Sequence, residues 1–167
     1  MMNLELLSRI EKSSAHTQNR KDNAAFILEN INLLEELILI SFQIDNKLHI
    51  RACYILDMVF EKRLNLIYPH VDLICDNLKF IKNDSAIRCV SIFLVFLVQD
   101  NSEKNYLSES QLEKITESSF DWLIEDYRVA VKHHAVNILI ETGKNINWIY
   151  PELKIILEKE VEFASPA

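Results

Sequence analysis

Along almost the whole chain apolar residues return every three or four positions, the spacing that gathers them on one face of an α-helix. Leu4, Leu7 and Ile10 form a short first stripe, and Ala24, Ile27, Leu28 and Ile31 a second. Residues 33–44, LLEELILISFQI, are apolar around much of a third helix. A fourth is predicted from about Lys47 to Arg63, with Ala52, Ile55, Leu56 and Val59 inward. The fifth opens in NLIYPHVDLI at 65–74 and carries Val71, Ile74, Cys75 and Leu78 on one face. The sixth starts near Ser85 and holds the most apolar run, CVSIFLVFLV at 89–98, which Asp84, Arg88, Gln99 and Asp100 flank. That run is shorter than the ~20 residues of a membrane span, so it is predicted as the most buried helix, near the middle of the fold. QDNSEKNYLSES at 99–110 reads as the longest loop. A seventh helix contains Leu112, Ile115, Ser119, Trp122 and Leu123. The eighth, about Arg128 to Thr142, turns Val131, Ala135, Ile138 and Leu139 inward, with Gly143 placed for a left-handed helix end. The ninth opens at Pro151 and uses Leu153, Ile156, Leu157 and Val161. Residues 1–163 are expected to form one domain, and 164–167 a frayed tail.

Two of the three prolines occur in nearly the same phrase, NLIYPHVDLI at 65–74 and NWIYPELKII at 147–156. Proline suits the first turn of a helix, because it lacks an amide hydrogen that this turn leaves unpaired and its φ is already helical. Pro69 and Pro151 are therefore expected to start helices of the same kind. The phrases lie about 82 positions apart, roughly twice the ~40-residue period of a two-helix repeat.

A second signal repeats on the intervening helices. Asp45 precedes Ile50-Arg51-Ala52, Asp126 precedes Val131-Lys132-His133, and Ile87-Arg88-Cys89 lies between them with Asp84 upstream at shorter spacing. An early proline in the first helix, a turn aspartate, and a β-branched residue followed by a base in the second resemble the HEAT repeat, over residues of about 33–160. The resemblance implies an all-α, right-handed α-α superhelix of HEAT or armadillo type, with about four helix pairs plus a C-terminal helix. It also implies a structural ladder in which Asp45 meets Arg51 and Asp126 meets Lys132, with Arg88 as the middle base.

Composition narrows the class without naming a reaction. A single glycine, Gly143, argues against hairpins and barrels, which draw on glycine for positive φ. The net charge of −7 disfavours nucleic acid, whose affinity comes from clustered Lys and Arg. Cys53, Cys75 and Cys89 are odd in number and sit among apolar neighbours, as expected for core thiols of a reduced cytoplasmic protein. The start, MMNLELLSRIEKSS, reads as no signal peptide.

Candidate chemistry is sparse. His133 and His134 are adjacent, and neighbours on a helix point ~100° apart, whereas two ligands on one face need a spacing of three or four. Iron-binding HEAT proteins resembling deoxyhypusine hydroxylase carry repeated His-Glu dipeptides, and this sequence has none. No metal, cofactor or catalytic residue is assigned, because the glycine-rich phosphate loop and the Gly-x-Ser-x-Gly elbow are also missing. Short bacterial chains resembling this one are sometimes given the name adenylosuccinate lyase. That lyase's Ser-Ser-x-Met-Pro loop has no counterpart, since Ser13-Ser14 leads into Ala-His and Ser118-Ser119 into Phe-Asp. A HEAT-type nucleic-acid-binding or DNA-repair protein is the alternative reading, with Trp122, Trp148, Tyr127 and Asp121 as its aromatic and acidic residues.

The surface is left to carry function. In stacked helix pairs the second helices line the concave side, where Tyr54, Asp57, Met58, Glu61, Ser91, Val95, Gln99, His133, Asn137 and Glu141 fall off the core stripe. The expected role is a non-catalytic interaction scaffold or adaptor in the cytoplasm. Its expected partner is a protein or peptide, basic or amphipathic, with no membrane involved. Leu153, Ile155, Ile156 and Leu157 on the last helix leave a monomer or a weak dimer open.

Overall fold

A computed structural model describes residues 3–164, with side chains through Glu160. Its α-helices are α1 (Leu4–Glu11), α2 (Thr17–Glu29), α3 (Leu34–Phe42), α4 (His49–Lys62), α5 (Val71–Asn77), α6 (Asp84–Lys104), α7 (Glu109–Ile124), α8 (Val129–Gly143) and α9 (Ile149–Ala164). Short 3-10 segments occupy Ile31–Leu33, Leu64–His70 and Leu78–Phe80, and no strand occurs among the described residues. The protein is all-helical.

Local chemistry fixes several ends. Asn3 and Asn83 cap α1 and α6, the Asn83 carboxamide accepting from the amides of Ser85 at 2.9 Å and Ala86 at 3.2 Å. Ser108 and Gln111 form a reciprocal capping box on α7, and such caps contribute on the order of 1 kcal/mol each.

The boundaries depart from expectation at four places. Residues 99–104 are not loop but the last turns of α6, so the connection to α7 shrinks to residues 105–108. Polar composition misleads there because the turns are held from outside the apolar stripe: Asp100 pairs with Lys104 at 2.7 Å and accepts from the Tyr68 hydroxyl at 2.6 Å. Buried Asn101 accepts from the amides of Tyr106 and Leu107 at 2.9 and 2.7 Å, folding the chain back under the helix end. Pro69 lies inside the 3-10 segment Leu64–His70 and α5 starts after it, whereas Pro151 is the third residue of α9. The two phrases thus share a helical entry but not its form. Gly143 ends α8 without positive φ, and the one described left-handed residue is Asn105, at φ 51°. Glycine is used at 143 because a Cβ would stand 2.4 Å from the Tyr150 ring. Finally, Leu4 and Ile31 face outward, and Leu6 takes the inward place in α1. Ala164 is still helical, while residues 165–167 of the expected tail, and the side chain of Val161, lie outside the described set.

Packing follows a succession. Helix α2 meets α4, α4 meets α6, and α6 meets α8, while α3 packs on α4, α5 on α7, α7 on α8 and α8 on α9. Between α4 and α6 the rings of Phe60 and Phe93 meet edge to face at 5.0 Å, both buried. Removing either ring would cost about 3–5 kcal/mol. At 21 residues α6 is long and apolar enough to cross a membrane, yet 61% of its most apolar window is buried within the protein. Its position between α4 and α8 accounts for that apolarity and matches the expected central place. Yet α6 is not the most buried helix for its length: 10 of its 21 residues are buried against 9 of 14 in α4, because its last turns are polar.

Candidate interaction groove

Seen from their own helices, the predicted concave residues divide into two groups. Asp57 and Met58 on α4 are buried, to 2% and 8% exposure, and Tyr54 is half-buried. The cause is α2: Arg20 donates from Nε to the Tyr54 carbonyl at 3.1 Å and forms an ion pair with Asp57. Tyr54 and Asp57 belong to the α2–α4 contact and Met58 to the core, which corrects their assignment to an open face. Glu61, Gln99 and His133 are exposed, and Asn137 and Glu141 are half-buried. Asn137 contacts Nε2 of His133 at 3.1 Å, and Glu141 holds Lys144 at 2.6 Å. Ser91 is fully buried and Val95 half-buried.

The proposed acid and base ladder is replaced by other partners. Arg51 donates to the carbonyl of Glu11 at the end of α1. Lys132 pairs with Glu160 on α9 at 2.6 Å, and Asp84 pairs with Arg128 at 3.6 Å. Among the described residues Asp45, Asp126 and Arg88 form no ion pair. Arg51 and Lys132 reach across to a different element instead of back to their own turns, because a long side chain at a helix start spans the gap to the neighbouring helix.

Three buried polar contacts could be mistaken for catalytic pairs. Ser91 Oγ donates to the Arg88 carbonyl at 3.1 Å and meets Nδ1 of His134 at 2.9 Å. One hydroxyl proton cannot serve both acceptors: with that proton on the Arg88 carbonyl, the Ser91 oxygen accepts from a proton on Nδ1 of His134. Ser91 is fully buried and its oxygen is already engaged by both the Arg88 carbonyl and His134, so it offers nothing to a substrate carbonyl. Burial, then the charges of His133 and Arg88, hold the His134 pKa below its ordinary value. At the other end, His49 Nδ1 and the Cys53 thiol share the Ser41 carbonyl, and His49 Nε2 has no partner. Burial lowers the His49 pKa against the raising effect of that carbonyl. All three thiols are buried; burial pushes Cys75 up to about 12 and raises Cys53 and Cys89 as well. Thiols so protonated are poor nucleophiles and poor metal ligands. No cluster of metal-ligating side chains occurs among the described residues. Of the aromatics considered for a repair enzyme, Trp122 is only 3% exposed and is a core residue.

What remains open lies where α4 and α6 end side by side. A groove of about 310 Å³ is lined by Phe60, Glu61, Leu64, Phe96, Gln99, Asp100 and Glu103. Phe96 is 41% exposed, and three carboxylates surround it. Among the described residues only Asp100 of the three has a cation, Lys104, which holds its pKa down together with the Tyr68 hydroxyl. Two residues of the predicted face, Glu61 and Gln99, are thus brought together, and Phe96 joins them. Sequence reading placed Ser91 and Val95 of CVSIFLVFLV off the core stripe but missed Phe96, because an aromatic ring in so apolar a run looks like core. The signal was there: Phe93, Leu94, Leu97 and Val98 form the inward stripe, which turns Phe96 and Gln99, three apart, outward. Comparison with protein-family models, with curated proteins and with solved structures gives no match for this chain.

Proposed function

We propose that this chain is a non-catalytic interaction scaffold or adaptor, a HEAT-like α-α superhelix working in a reducing, cytoplasmic setting. The contact succession α2, α4, α6, α8 supports the superhelical reading, and the three free buried thiols support the compartment. The observation that carries the function is the α4–α6 groove, where exposed Phe96 sits among Glu61, Asp100 and Glu103. An apolar anchor ringed by acids complements an amphipathic helix whose polar face is basic. On α9 Leu153 is buried, Ile156 and Leu157 are half-buried, and Ile155 is 46% exposed, which supports a monomer or at most a weak dimer.

Fluorescence anisotropy with a labelled amphipathic peptide bearing lysines on its polar face tests the reading. Phe96→Ala is expected to weaken binding by about tenfold or more, in the range of an aromatic hot spot. Glu61→Gln with Glu103→Gln should lower affinity and flatten its salt dependence. Equal binding by the native chain and Phe96→Ala would remove the groove as the site.

A further inference from the structure

A second cavity, of about 410 Å³, opens between the first turns of α7 and the turn that joins α8 to α9. It shares no lining residue with the groove at Phe96, so the inference drawn from it is independent of the proposed adaptor site. Its volume lies within the roughly 300–1,000 Å³ of ligand pockets. Four side chains give it chemical character: Glu109 and Glu113, one turn apart on α7, Thr116 a turn further in, and Trp148. No Lys, Arg or His lines it. The nearby cations are engaged elsewhere, Lys114 with Asp76 and Lys144 with Glu141, each at 2.6 Å.

Two observations point to a ligand. Trp148 is 55% exposed although the other tryptophan is core, and its indole stacks on Phe120 with ring centroids 5.7 Å apart. That stacking holds one indole face in place and leaves an aromatic surface at the cavity. Thr116 is 1% exposed and lines the cavity, yet its hydroxyl has no hydrogen-bond partner. A helical threonine ordinarily bonds back to a carbonyl three or four residues earlier, as Thr142 does to Ile138 at 3.0 Å. Thr116 forgoes that bond and keeps an unused acceptor and donor at the inner wall.

We infer that this cavity receives the side chain of an arginine presented by a peptide partner, with the guanidinium against the Trp148 indole and its N–H groups toward Glu113 and the Thr116 hydroxyl. A planar guanidinium stacks on aromatic faces and forks onto carboxylates, which a compact ammonium does less well. Charge sets the order of the two acids. Glu109 is the first residue of α7, where it sits against the positive end of the helix. Glu113, a turn further along, has more of its charge to give a ligand.

The test uses the full chain and a labelled peptide of Arg-Gly-Ser repeats, read by anisotropy at low salt, with tryptophan emission as a second signal. Binding is expected to fall about tenfold in Trp148→Ala and about fivefold in Glu113→Gln, less in Glu109→Gln, within the span of aromatic and charge contacts at interfaces. Thr116→Val separates a binding role from a structural one. It removes the orphan hydroxyl at constant shape, so it should raise Tm while weakening the peptide several-fold. A Thr116→Val chain that gains stability with unchanged affinity overturns the proposal. So does equal affinity for a lysine-for-arginine peptide, or binding of free argininamide as tight as that of the peptide, which marks a small-molecule site. Phe96→Ala should leave this binding intact; a loss there would put the arginine peptide in the α4–α6 groove and overturn the cavity assignment without touching the adaptor reading.

Discussion

Where α2 meets α4, Arg20 and Asp57 face each other with the carboxylate almost wholly removed from water; where α6 meets α8, a serine and a neutral histidine occupy the contact. The first arrangement removes two charges from solvent, which costs several kcal/mol per ion before their attraction offsets it. One Asp57 oxygen is left without a partner, and burial accordingly raises the Asp57 pKa against the pull of Arg20. The second arrangement puts no charge in the interface while the imidazole is neutral. Ion pairing thus makes the α2–α4 contact intolerant of losing one partner, and the Ser91–His134 contact trades that intolerance for sensitivity to proton concentration.

The largest break should come from Arg20→Met, which strands Asp57 as a buried charge. About 3–5 kcal/mol of stability should be lost, visible as a fall in Tm of roughly 2–4 °C per kcal/mol for a chain of this size. Ser91→Ala should cost less, about 1–3 kcal/mol, because it leaves one half-buried imidazole nitrogen unpaired. Acidification acts on the histidines. His134 and His49 both have lowered pKa values in the folded chain, so below 6.5 the unfolded chain takes up protons that the folded chain refuses. Their stabilising contribution is complete above pH 6.5 and is lost as pH falls from there through the lowered folded values. Denaturant titrations at successive pH values should show this loss, and His134→Phe should reduce its slope. Asp57 has the opposite sign: with its folded pKa raised, protonation begins earlier in the folded chain and does not add to the loss. The smallest effect is predicted for Arg20→Met combined with Asp57→Leu, which removes both ions and should return stability to near the native value. A double variant as unstable as Arg20→Met alone would show that packing, and not the stranded charge, dominates that contact.

The sequence carried the helices of the interior well and the ends poorly. Ala52, Ile55, Leu56 and Val59 are buried as their spacing demands, and so are Val131, Ala135, Ile138 and Leu139, because a single stripe per helix is all that a core contact requires. Residues 99–104 were illegible as helix since no apolar residue there marks the turn, and the holding contacts come from Tyr68, some thirty positions away. The interhelix polar partners were illegible for a related reason. Arg20 reads as a solvated base on a polar helix, and nothing local says that Asp57 will be opposite. Of the predicted face, Glu61 and Gln99 survive as lining of one groove; Asp57 and Met58 failed because helical phase says which way a residue points but not which helix already stands there.

Asn105 is the one described position with a left-handed backbone, and the lone glycine is there to make room for an aromatic ring. Everywhere else in the described chain the main chain asks nothing that an ordinary L-amino acid cannot give. Apart from proline and glycine placed inside the helices, substitutions in this protein should therefore succeed or fail on volume and polarity, and a saturation scan should find intolerance to β-branched residues concentrated at 105.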